Sequence, residues 1–175
     1  MAKITIFGLA GTGTSTVGKA LAEKLGYKFI SSGNMLRERA RNMGLSLSEL
    51  HERARTDSKF DKELDEEIKN IGEKNDSIVV ESRLAWHFIP DSIKIKLTCD
   101  FETRVKRLVE RDGLSMEAGK AHVLKREKVD DERYTSIYGI ENINGDNHFD
   151  LTVDTTEITP TQIVNQIISF IKKVQ

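Results

Sequence analysis

Apolar residues fall along the chain in short continuous runs, separated by longer stretches in which they recur every three or four positions. That pattern marks buried strands alternating with amphipathic helices. Lys3 to Phe7 (KITIF) is the first run, and Thr16 to Leu25 behind it has the helical period. Gly26 stands where a left-handed glycine closes a helix, and Tyr27 to Ile30 (YKFI) supplies a second strand. Two strands around one helix make a βαβ unit, so parallel pairing and a right-handed crossover are expected. Gly33 to Lys74 reads as helix almost throughout. Within it Ser46 and Glu49 have the spacing of a capping box, and Phe60, Leu64, Ile68 and Ile71 form an apolar stripe with Asp57, Asp61 and Asp65 as its polar border.

Ser77 to Glu81 (SIVVE) is apolar without alternation, as expected of a strand covered on both faces, and is predicted to be central. Ile93 to Thr98 (IKIKLT) alternates, which predicts a strand with one wetter face. Asp100 is placed to cap a helix running through Arg111. Ser115 to about Tyr138 is a long charged helical segment in which one break is expected. After a turn at Asn144–Gly145–Asp146, Leu151 to Asp154 is the last strand, and Thr159–Pro160 starts a final helix that runs to about Lys173. Five strands alternating with helices predict an α/β fold of three layers with a mostly parallel sheet, in one domain over 1–175. Ligands in such folds bind at the carboxyl ends of the strands.

Charge narrows what the ligand is. Lys+Arg number 27 against 28 Asp+Glu, a formal net charge of -1, so no broad basic field is available for nucleic acid or an anionic membrane. Any positive site is local. No apolar run approaches the roughly 18–20 residues of a membrane span, and MAKITIF lacks the build of a secretory leader. The lone Cys99 fits a reducing compartment, and a cytoplasmic protein is expected.

The stretch Gly8-Leu9-Ala10-Gly11-Thr12-Gly13-Thr14-Ser15-Thr16 follows a strand and opens a helix, which is the context a phosphate loop requires. Its glycines let successive N–H groups turn inward, and the helix N-terminus adds partial positive charge. Against the pattern G-x-x-x-x-G-K-[ST], Thr14 occupies the lysine position. Lys19 lies about 7.5 Å further along the helix axis and does not replace it. Ser15 and Thr16 are positioned to offer a hydroxyl to Mg²⁺, and Glu81, ending a strand, to orient the same ion. Arg37 and Arg83 follow strands that end at this mouth, and guanidinium forks suit phosphate. Between Lys120 and Arg133 the charges are nearly balanced, as on a solvated helix, yet Arg126, Asp130 and Arg133 share one face at i, i+4 and i+7.

GLAGTGTST, SSGNMLRERARNMG, KFDKELDEE, VVESRLAW, REKVDDERYTSIYGI and FDLTVDTT together resemble the nucleoside monophosphate kinases of the P-loop NTPase fold, most closely the short cytidylate kinases. The resemblance covers nearly the whole chain. It implies transfer of the ATP γ-phosphate to CMP or dCMP with Mg²⁺, a helical acceptor-binding region at about 31–75 and a lid at about 115–140. A monomer acting on the small molecules CMP or dCMP and ATP, without nucleic acid or membrane, is expected. By the matching motifs, Ser32, Arg37 and Arg83 would hold the acceptor, Arg126 and Arg133 would close over the transferring phosphate, and Asp130 would meet the ribose. Asn34 stands where Asp is usual and Ser82 where Gly is usual, which bears on acceptor identity more than on reaction type. The alternatives are a P-loop kinase for AMP, UMP or a metabolite such as shikimate, and a nucleotide-binding protein impaired by the missing lysine.

Overall fold

In the computed structural model the residues described are 1–46, 49, 50, 53 and 58–174, without the side chains of 58–61. Asp57 lies outside them, as do the side chains of Phe60 and Asp61. The chain runs β1 (Lys3–Gly8), α1 (Thr14–Leu25), β2 (Lys28–Ser31), α2 (Ser32–Asn42), α3 (Ser58–Lys74), β3 (Ile78–Glu81), α4 (Ala85–Phe88), β4 (Ile93–Thr98), α5 (Phe101–Asp112), α6 (Met116–Tyr138), β5 (Leu151–Asp154) and α7 (Pro160–Val174). The five strands form one parallel sheet in the order β2-β3-β1-β4-β5. Among the described residues no helix is long and apolar enough to cross a membrane.

β1, not β3, takes the centre of the sheet. The unbroken apolar pattern of Ile78, Val79 and Val80 is still explained, because β3 is flanked by β2 and β1 and covered on both faces. Burial on two faces identifies an interior strand but does not rank interior strands. On one face α1 and α7 pack Val17, Leu21, Ile163, Ile167 and Ile171 against Ile4, Ile6, Val79 and Leu97. On the other, α3 and α4 cover β3 through Ile68, Ala85 and Ile89. Phe7, Leu84, Trp86, Tyr134 and Ile143 close the same side further along. Three layers result.

The face of β4 expected to be wetter is partly exposed at Lys94 and Thr98 but dry at Lys96. Lys96 is 5% exposed, and its ammonium donates to the Asn144 carbonyl at 2.6 Å and to Asp146 at 2.8 Å. The segment leading to β5 folds over the strand, so the polar position at Lys96 reflects a buried lysine with partners and not solvent. α6 is likewise unbroken. Ser115 caps it by accepting from the Ala118 N–H at 3.2 Å, and no glycine or proline interrupts it between Lys120 and the left-handed Gly139. The predicted caps form as read. Asp100 accepts from Thr103, Thr159 shares a reciprocal box with Gln162, and Ser46 does so with Glu49. Asp65 is not a solvated border, because the Tyr138 hydroxyl donates to it at 2.6 Å and so joins α3 to the end of α6.

Candidate active site

The loop between β1 and α1 sits at the carboxyl edge of the central strand, where the chain switches from one side of the sheet to the other. Gly11 and Gly13 take φ of 89° and 87°, a left-handed region that excludes most side chains. Every carbonyl from Gly8 to Gly13 has a donor. Arg83 holds Gly8, the Thr12 N–H and hydroxyl hold Leu9, Arg104 holds Ala10, Arg107 holds Gly11, Thr155 holds Thr12, and the Val17 N–H holds Gly13. Across a trans peptide the N–H points opposite to the C=O. Fixing the carbonyls therefore aims amides of the loop and of the first turn of α1 toward a shared concavity, where the helix terminus favours an anion.

Thr14 does not act as a shorter lysine. Its side chain is buried and its hydroxyl donates to Glu81 Oε1 at 2.9 Å, which leaves its N–H as the group available to a phosphate. Glu81 also accepts from Ser15 at 3.1 Å and from Ser31 at 2.6 Å. Ser31 is at the same time the N-cap of α2. One carboxylate thus joins the phosphate loop, β3 and the helix that opens the 31–75 region. Hydroxyl and carboxylate oxygens at the foot of an anion site fit Mg²⁺, which is held by one or two carboxylates together with substrate phosphates. Among the described residues no three His, Cys, Asp or Glu side chains converge elsewhere to offer a cage. Lys19 and Thr16 lie exposed on α1.

Arg83, Arg126, Asp130 and Arg133 come together. Arg83 Nε donates to Asp130 at 3.3 Å while its Nη1 reaches the Gly8 carbonyl. Arg133 donates to Asp130 at 3.5 Å and to the Tyr134 hydroxyl at 2.6 Å, with its guanidinium 4.6 Å from the Tyr134 ring centre. Burial pushes the Tyr134 phenol well above its usual range, so it stays a neutral support. Arg126 offers much of its side chain to solvent. Desolvation at its guanidinium end lowers the pKa from the ordinary value, the like charge of Arg83 adds to this, and Asp130 opposes it. Two guanidinium groups bonded to one carboxylate, with Arg126 one turn away on the same helix face, leave positive charge that a phosphate would relieve.

Arg37 is not part of that cluster. Its guanidinium folds back to accept orientation from its own helix, donating to Asn34 Oδ1 at 2.5 Å beside Gly33. Asn34 orients it without neutralising it, as an aspartate would. Ser32 opens α2 directly behind its cap, and Ser82, whose hydroxyl accepts from the Leu84 N–H at 3.4 Å, shapes the turn that carries Arg83.

The cytidylate kinase-like family matches residues 3–157. The chain belongs to that family. A cytidylate kinase of Methanobrevibacter smithii is 33% identical over 169 residues, covering 97% of this chain and 98% of the relative. A cytidylate kinase of Methanococcoides burtonii is 35% identical over 153 residues, 87% of each chain. Among solved structures, shikimate kinase from Acinetobacter baumannii in complex with shikimate superposes with a TM-score of 0.69 at 18% identity, covering 100% of this chain and 95% of the other. At that identity the likeness is one of fold. This member of the cytidylate kinase-like family is a P-loop kinase.

Arg104, Arg107 and Thr155 hold the family's loop here, and the reading of its motifs passed over them. A signal existed for Arg104. It lies on the apolar stripe of α5 with Phe101, Val105 and Leu108 and is 6% exposed. An arginine among core positions, on a helix leaving the ligand edge of the sheet, needs a buried acceptor. Thr155 and Arg107 had none, since their bonds to Thr12, Gly11 and each other join segments distant in sequence.

Proposed function

We propose that the protein transfers the γ-phosphate of ATP to CMP or dCMP, giving ADP and CDP or dCDP. The observation that carries this reading is the Arg83–Asp130–Arg133 cluster lying against the Gly8 carbonyl of the phosphate loop, so that donor and acceptor phosphates would meet at one point. The cytidylate kinases among its relatives support the choice of acceptor. ATP phosphates lie on the Gly8 to Thr16 loop, held by those amides not already bonded within it, as the Thr12 N–H is to Leu9. Residues 31–75 form the acceptor region, with Ser32, Arg37 and Arg83 toward the acceptor phosphate and Asp130 toward its ribose. Residues 115–140 form the lid that brings Arg126 and Arg133 over the transferring group. Ser15 and Glu81 would hold Mg²⁺, which when bound neutralises charge on the phosphates.

No side-chain nucleophile is needed, because an acceptor phosphate oxygen attacks in line and the protein supplies orientation and charge. Closing α6 over the site excludes the water that would otherwise accept the phosphoryl group. An ADP-release assay across CMP, dCMP, UMP, AMP and shikimate is expected to give turnover with the cytidine nucleotides. Activity confined to shikimate would sink the assignment, and ATP binding without ADP formation would make the chain a nucleotide binder. Glu81→Gln, which cannot accept from all three hydroxyls, is expected to raise the Mg²⁺ needed for half-maximal rate about 10–100-fold. An unchanged Mg²⁺ titration would remove Glu81 from the metal site.

A further inference from the structure

Arg104 touches two parts of the machinery at once. Its Nη1 donates to the Ala10 carbonyl in the phosphate loop at 3.3 Å and forms an ion pair with Glu127 on α6. Its backbone is the floor on which the loop rests, since a Cβ on Gly11 would lie 2.6 Å from the Arg104 carbonyl oxygen and 2.9 Å from its Cα. Ala10 itself packs with Val105, Leu108 and Val123, joining the loop to α5 and α6 in one small apolar cluster. Arg104 holds this place although its Nε is buried without a hydrogen-bond partner among the described residues, a cost that folded proteins seldom carry without reason.

We propose that Arg104 is a positioning residue for the donor phosphates, and that its ion pair with Glu127 transmits the seating of α6 to the phosphate loop. The inference rests on the reading of Gly8 to Thr16 as the ATP site. With the Ala10 carbonyl held toward α5, the Gly11 N–H faces the concavity. When α6 is seated, Glu127 fixes the guanidinium and so fixes that peptide. When α6 lifts, the guanidinium loses its counter-charge and the peptide loses its anchor. The loop is therefore best formed when the lid is down, and by linkage a polyphosphate on the loop favours the lid-down state to the same degree.

The test is calorimetric binding of MgATP and, separately, of CMP to Arg104→Lys, Glu127→Ala and Glu127→Gln, with thermal melts of each. Arg104→Lys and Glu127→Ala are expected to weaken MgATP about tenfold and to leave CMP affinity within about twofold. Glu127→Gln, which keeps an acceptor for the guanidinium, is expected to recover most of the loss. Glu127 stands on the partly exposed side of α6, so its variants fold even if Arg104→Lys does not. Unchanged MgATP affinity in the Glu127 variants overturns the proposal whatever the melting temperatures do. Equal losses for MgATP and CMP also overturn it. Because the readout is binding, it stands apart from the acceptor assay, whose failure would instead overturn the kinase reading.

Discussion

Arg83→Ala is expected to lower kcat/KM for CMP by two to three orders of magnitude while the protein stays folded. Arg83 is half-buried at the end of β3, bonded to the Gly8 carbonyl on one side and to Asp130 on the other. Removing it strips a guanidinium from the point where the two phosphates would meet. The loss of one preorganised donor at a developing charge is worth about 2.7–4 kcal/mol. It also leaves Asp130 facing the site with Arg133 as its near cation, so a carboxylate would then repel the incoming acceptor. Arg83→Lys is expected to fall between, since it restores charge but not the fork that reaches both partners. An ADP-release assay with CMP varied at saturating ATP reads the effect. Turnover of Arg83→Ala near that of the parent would remove the arginine from the reaction.

Gly11→Ala and Gly13→Ala separate backbone strain from collision. Both glycines have nearly the same positive φ, and an alanine in that region costs about 1–2 kcal/mol. At Gly13 nothing lies within 4 Å of an added Cβ, so strain is the whole cost. Its melting temperature should fall by about 2–8 °C, with MgATP binding weakened but measurable. At Gly11 the Cβ would overlap the Arg104 backbone, which no rotamer change relieves. The loop must move off α5, and the amides lose their common aim. Gly11→Ala is expected to abolish MgATP binding in calorimetry and to melt lower than Gly13→Ala. Equal behaviour of the two variants would show that the contact with Arg104 does not shape the loop.

The five strands, most helix starts and the loop were legible because their determinants are local. KITIF ending in glycines, the caps at Asp100, Ser115 and Thr159, and the box at Ser46 and Glu49 each carry their reason within a few residues. Arg126, Asp130 and Arg133 were legible as a face because helical spacing places them together, and Arg83 joins them through Asp130. What stayed hidden depends on elements that only the fold brings close. The order of interior strands, the burial of Lys96 beneath the segment before β5, the Tyr138–Asp65 bond and the hold of Arg104 and Arg107 on the loop all link residues far apart in sequence. Thr14 was legible as a missing cation but not as a donor to Glu81, since nothing near it in sequence announces a carboxylate 67 residues away.

The unbroken run of α6 has a mechanical meaning. Its 23 residues make a rod about 34 Å long, closed at one end by Gly139 and approached at the other through Gly113, both with φ of 67°. A rod without an internal joint cannot curl away from the loop residue by residue. As a lid it would swing as a lever, and a rotation of only about 10° at Gly139 would carry its far end about 6 Å. Travel would grow steadily with distance from that pivot, from about 1.6 Å at Arg133 and about 2.4 Å at Asp130 to about 3 Å at Glu127 and about 4 Å at Val123, so the contacts with Arg104 and Ala10 would open widest. Arg133 would thus make a shorter approach to the site and Arg126, beyond Glu127, a longer one, and the grip on the phosphate loop is the part that such a stroke would release.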